Sequence, residues 1–216
     1  VGTAKGLAYL HHELTEPLIH RDIKPDKVLV SADIVAKLAD FGESTRLDTK
    51  RAKKDGRDVS DALSMTMVGT KLYCAPEVMM LQRYNESAAS PVVVLFLAFA
   101  LYNSATRQTF AYYFAQDTFS FALVLLCLAV GDIAYMRKQA GKSARTAYSS
   151  GWRPPVRKSL RVACPEIAAL IKEMWLADFR ARPAMRDVVV RLEACTVVDR
   201  AAKSEAHPEE HSTSSQ

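Results

Sequence analysis

The stretch His20-Arg21-Asp22-Ile23-Lys24-Pro25-Asp26-Lys27 is followed in order by Asp40-Phe41-Gly42 and by Ala75-Pro76-Glu77. Any one of these charged residues alone reads as an ordinary surface group. Three short motifs in a fixed order are hard to obtain by chance, and their order decides the fold. Upstream, from Val1 to about His12, Ala4, Leu7, Ala8 and Leu10 fall at helical spacing and predict a helix with one buried face. Just downstream, Val28-Leu29-Val30 and Val35-Ala36-Lys37-Leu38 are short β-branched or apolar runs around a Ser-Ala-Asp turn, which predicts a small hairpin. From Asp40 to Glu77 the chain is mostly polar and carries the mixed-charge run TKRAKKDGRD, the composition of a flexible segment.

Farther out, Cys164-Pro165-Glu166 opens a helical pattern through Ile167, Leu170, Ile171, Met174 and Trp175, with Pro at the favoured first position. Arg182-Pro183 opens another through Val188, Val189, Leu192 and Ala194. Phe119 to Val130 is apolar all round, as a helix at the centre of a fold must be. Between these lies Ala89 to Gln116, ASPVVVLFLAFALYNSATRQTFAYYFAQ, in which Val92 to Leu101 is uninterrupted apolar sequence. Surface loops are polar, so the stretch reads as inserted, non-domain sequence. A membrane span needs about 20 mostly apolar residues, and Asn103, Ser104, Thr106, Arg107 and Gln108 interrupt this one. The last residues, 199–216, have almost no large apolar side chain and predict disorder.

The three motifs resemble the catalytic loop, metal-binding loop and activation-segment end of eukaryotic protein kinases, H-R-D-x-K-x-x-N, D-F-G and A-P-E. GLAYLH, GWRPP and the W-x-x-D-x-x-x-R-P set of Trp175, Asp178, Arg182 and Pro183 are most similar to the tyrosine-kinase-like group of Ser/Thr kinases. The resemblance implies a mainly α fold with a small β-hairpin region, the C-terminal lobe of a kinase. Residues 1–88 are then its first part, 89–116 an apolar insertion, 117–198 the helical remainder and 199–216 a tail.

It also implies a chemistry, ATP- and Mg²⁺-dependent phosphoryl transfer to a Ser or Thr hydroxyl of a protein substrate. Such transfer rests on positioning and charge compensation. By this resemblance Asp22 accepts the substrate hydroxyl proton and Lys24 meets the transferring phosphate. Asp40, followed by Phe41 and Gly42, holds the metal, where a hard carboxylate oxygen suits a hard cation. His20 and Phe41 stack in the spine that aligns the site, and Leu29 packs under adenine. Arg21 pairs with a phosphate on the activation segment, with Ser60, Ser64 and Thr66 as the candidate phosphosites. Thr70 lies near Asp22, Glu77 pairs with Arg182, and Asp117 holds the catalytic-loop backbone.

Two departures qualify that expectation. Lys27 stands where the family pattern has a metal-binding Asn, and an ammonium there disfavours a metal ion. The Gly-rich loop, the V-A-I-K lysine and its partner Glu, all of the N-terminal lobe, are not among these 216 residues. Without a roof for adenine, positioning fails, so this chain by itself is expected to be an inactive fragment of a longer parent. The alternative is a pseudokinase-like protein-binding module or a non-functional gene-model remnant.

Composition agrees with one soluble core, 49% hydrophobic and 25% charged. Cys74, Cys127, Cys164 and Cys195 stand far apart with no C-x-x-C pair, which argues against a disulfide framework or zinc site and for a reducing, cytoplasmic setting. No signal-peptide pattern opens the sequence. The net charge of +5 is concentrated between Asp132 and Glu166, where Arg137, Lys138, Lys142, Arg145, Arg153, Arg157, Lys158 and Arg161 occur with no acidic residue. This predicts a solvated basic loop. No aromatic residues alternate with the basic ones at stacking spacing, so nucleic acid is not an expected partner.

Overall fold

The structure, a computed structural model, describes residues 1–46, 70–79, 107–140, 147–148 and 150–206, with backbone alone for 107–111, 137, 140 and 197–206. Among them the fold is helix-rich with a few very short strands. The first helix, α1 (Gly2–His12), buries Ala4, Leu7, Ala8 and His11, one stripe of its surface. It packs against the last helix, α6 (Met185–Ala206), and against strand β3 (Ala36–Leu38). The approach to β3 is close enough to require Gly2, since a Cβ there would lie 2.3 Å from the carbonyl oxygen of Ala36.

After α1 the chain forms β1 (Leu18–Ile19), a 3₁₀ turn (Pro25–Lys27) and β2 (Val28–Val30). Strands β2 and β3 pair antiparallel with Leu29 opposite Lys37, and β4 (Thr45–Arg46) returns to pair with β1. The two ladders hold the charged loop of residues 20–27 between them.

The centre of the fold is α2 (Arg107–Val130). Phe119, Phe121, Ala122, Leu123, Val124, Leu126 and Cys127 are all buried, because α1, α5 (Pro165–Met174) and the 3₁₀ turn Phe179–Ala181 surround it. Each large apolar side chain so enclosed contributes about 1.5–3 kcal/mol. The helix stops in a Schellman arrangement: Gly131 takes a positive φ of 69°, its N–H bonds to Leu128 O, and Asp132 N–H bonds to Cys127 O. By length and composition Tyr112–Val130 is apolar enough to cross a membrane, but 72% of it is buried inside the fold, the signature of a core helix.

Three expectations meet a different local structure. The central helix begins at Arg107, ten residues before Asp117, so residues 107–116 of the expected insertion are helical and continuous with the core helix. The reason is packing: Tyr113 and Ala115 are buried, and Tyr112 meets the Phe179 ring edge-on at 5.2 Å. Residues 89–106 lie outside the described residues. The last helix, α6, runs as far as Ala206, into the expected tail, and 207–216 lie outside the described residues. The described part of the basic stretch is not a solvated loop either. It includes α3 (Tyr135–Ala140) and α4 (Lys158–Ala163). Lys138 pairs with Asp132, Arg157 lies over the Tyr135 ring, and Arg153 is drawn inward to the carbonyls of Trp175, Tyr148 and Trp152.

Candidate active site

The loop of residues 20–27 is held from beneath by one buried carboxylate. Asp117, on α2, accepts from His20 N–H at 2.8 Å and Arg21 N–H at 2.9 Å. It also accepts from His11 Nε2 at 2.9 Å, from α1. A fully buried carboxylate is tolerable only when its oxygens are served by donors in this way. Arg21 sits at φ 69° and Asp40 at φ 63°, both left-handed. Such backbone costs about 1–3 kcal/mol per residue and persists where the surroundings over-determine it. For Arg21 the bond to Asp117 supplies that constraint. Burial lowers the Arg21 pKa, against the opposing charges of Glu43, Tyr113 and Asp117.

Above this floor stands Asp22, 7% exposed. Its Oδ1 accepts from the backbone N–H of Thr70 at 2.9 Å and from the Thr70 hydroxyl at 3.1 Å. Its Oδ2 lies 2.9 Å from Lys24 Nζ, and the same ammonium donates to Thr70 Oγ1 at 2.8 Å. Asp22, Lys24 and Thr70 therefore close a triangle in which an alcohol lies between a carboxylate and a cation.

On the other side of Asp22 the site is closed by Lys27. Its ammonium donates to Asp40 Oδ2 and stands 3.8 Å from Asp22 Oδ2. The hydrogen bond to Asp40 raises the Lys27 pKa, and the same bond, with a second from Gly42 N–H at 3.2 Å, lowers that of Asp40. A divalent ion at Asp40 meets this ammonium, and repulsion from a doubly charged ion is twice that from a monovalent one. The residues present do not fit the metal that the motif implies.

The remaining candidates fall as follows. His20 donates from Nε2 to Ala39 O at 3.3 Å, and its ring lies 5.1 Å from that of Phe41 at a tilt of 51°. Leu29 faces outward from β2, 58% exposed. Glu77 receives a bidentate pair from Arg182, at 2.5 and 2.9 Å. Arg182 also donates to Ala115 O and Leu176 O and lies over the Phe119 ring at 5.0 Å. Ser60, Ser64 and Thr66 lie outside the described residues.

Two residues of the site's foundation, His11 at the end of GLAYLH and Arg153 in GWRPP, stand in quoted motifs without a role assigned to them. His11 is the third member of the Asp117 bond set. The signal was available, since His11 continues the Ala4, Leu7, Ala8 stripe, but a polar residue on an apolar face carries no partner in its own spacing. Arg153, inside GWRPP, places its guanidinium 5.3 Å from the Phe119 ring centroid, and Phe119 also meets Arg182. Burial lowers the Arg153 pKa, as does the neighbouring charge of Arg182.

The family model described as protein kinase domain matches residues 1–191. The chain is 30% identical over 194 residues to serine/threonine-protein kinase VIK of Arabidopsis thaliana, covering 88% of this chain and 35% of that protein. It is 32% identical over 197 residues to serine/threonine-protein kinase TNNI3K of Homo sapiens, covering 90% and 19%. To the probable serine/threonine-protein kinase drkC of Dictyostelium discoideum it is 31% identical over 192 residues, covering 88% and 20%. The chain thus spans from about a fifth to about a third of the length of these relatives.

Proposed function

The chain belongs to the protein kinase family, and from that premise we propose that it is the substrate-side, C-terminal lobe of a Ser/Thr kinase of the tyrosine-kinase-like group. Its phosphoryl donor is ATP and its acceptor a Ser or Thr hydroxyl of a protein. The observation that carries this reading is the triangle of Asp22, Lys24 and Thr70. A carboxylate that accepts from an alcohol at 3.1 Å is placed to orient a substrate hydroxyl and take its proton. The Lys24 ammonium beside it supplies positive charge where the transferring phosphate collects negative charge.

The family's catalysis is almost entirely positioning and electrostatics, and the parts that position ATP are not in these 216 residues. The Lys27–Asp40 pair favours a second reading, a pseudokinase-like module that uses the helical lobe to hold a protein partner. A cytoplasmic setting fits the four free cysteines, two of them buried.

The test is phosphorylation of Ser- and Thr-containing proteins by this lobe joined to a nucleotide-binding lobe, with labelled ATP. Transfer that Asp22→Asn reduces about 100-fold or more supports the kinase reading. Transfer that survives Asp22→Asn refutes the role of Asp22. Absence of transfer with retained partner binding selects the second reading.

A further inference from the structure

We infer that Lys27 is the resident cation of the Asp22–Asp40 carboxylate pair, and that this protein takes no divalent metal ion there. The inference rests on reading Asp22 and Asp40 as the family's site, and it concerns ion binding alone. The four carboxylate oxygens are all accounted for. Oδ1 of Asp22 accepts from the Thr70 amide and hydroxyl, and Oδ2 faces Lys24 at 2.9 Å and Lys27 at 3.8 Å. Oδ1 of Asp40 accepts from Gly42 N–H, and Oδ2 from Lys27.

Each carboxylate is also paired with an ammonium before any ion arrives, Asp22 with Lys24 and Asp40 with Lys27, while Asp26 adds a further negative charge near Lys27. A divalent cation entering the pair displaces a donor from each oxygen it ligates and is repelled by two ammoniums held on its ligands. Lys27 is well placed for this because the 3₁₀ turn Pro25–Lys27 and the adjoining hairpin fix its backbone: Lys27 N–H bonds to Lys24 O, and Lys27 O accepts from Ala39 N–H. The latter bond brings Lys27 opposite the residue that precedes Asp40. Its side chain is only 17% exposed, so the ammonium is a constrained part of the site and not a mobile surface charge. An anionic group reaching Asp22 meets a tethered cation where an exchangeable ion is expected.

The experiment is a titration of the full chain with Mn²⁺ alone, read by the electron paramagnetic resonance signal of the free ion. The wild-type chain should leave the ion free. Lys27→Asn and Lys27→Met should each bind it about tenfold or more tightly, Lys27→Arg should not, and the gain should vanish when Asp40→Asn is added. Wild-type binding that Asp40→Asn removes overturns the inference. So does equal binding by wild type, Lys27→Asn and Lys27→Met, or a gain that persists without Asp40. None of these readouts involves phosphoryl transfer, so failure here leaves the kinase reading standing, and failure of that reading leaves the ion titration interpretable.

Discussion

Lys24 Nζ and Thr70 Oγ1 lie 2.8 Å apart although the chain separates them by 46 positions. The hydroxyl accepts from Lys24 and donates to Asp22, so it carries one loop's position to the other. Hydrogen bonds to charged partners contribute about 1.5–3 kcal/mol each. Thr70→Ala is expected to lower stability by about 1–3 kcal/mol in urea unfolding, and Thr70→Ser to recover most of the loss. If Ser and Ala behave alike, the hydroxyl is not what joins the two segments.

Asp117 offers a larger effect. Its replacement by Ala strands three donors, two of them backbone N–H groups of the charged loop, in a fully buried site. A cost of about 3–5 kcal/mol is expected, with the exchange of the His20 and Arg21 amides accelerated beyond that of the core. Amide exchange that accelerates nowhere but in α2 argues that the loop holds itself.

Ile34 is a β-branched residue at φ 58°, 87% exposed at the tip between β2 and β3. Left-handed backbone costs an L-residue about 1–2 kcal/mol, and nothing packs there to offset it. Ile34→Gly should raise stability by about 1 kcal/mol at an unchanged denaturant slope. The bond from residue 34 N–H to Ser31 O, 2.9 Å, survives the change. No gain would mean that the turn is already relaxed in solution.

Glu173 on α5 and Arg191 on α6 form a bidentate pair at the surface. The bond to Arg191 lowers the Glu173 pKa. A depressed carboxyl contributes stability that is present above its unfolded pKa and lost as pH falls through the folded one. Arg191, its own pKa raised by the same bond, stays charged throughout. With side chains 39% and 44% exposed, the contribution is about 0.5 kcal/mol after solvent screening. Glu173→Gln should lose that amount at neutral pH, and the gap from wild type should close below the ordinary carboxylate range. A gap independent of pH would assign the loss to packing.

The motif residues were legible because their chemistry lies in short, ordered segments: Asp22 and Lys24 are two positions apart. Helix α1 and the hairpin were legible for a similar reason, local periodicity. The start of α2 was not, because FAYYFAQ lacks a breaker and lacks a helix-start signal, and what extends the helix is its contact with Phe179 and His11, far away in sequence. Arg153 misled for the same reason. A guanidinium in a run of basic residues reads as solvated until the carbonyls of Trp175 and Tyr148 appear beside it. The Lys27 substitution was visible as a charge, but its partners on both carboxylates were not.

Arg182 grips Glu77 with one edge of its guanidinium and Ala115 O with a nitrogen of the same group. Glu77 and Ala115 are far apart in the chain, so a single cation joins the Ala75-Pro76-Glu77 segment to the central helix. The entropy of closing a loop grows only with the logarithm of its length, about 0.6 kcal/mol per doubling. Joined in this way, the segment that carries Glu77 and the helix that carries Asp117 keep their registration, and the cost of closing the chain between them depends only weakly on how many residues it holds.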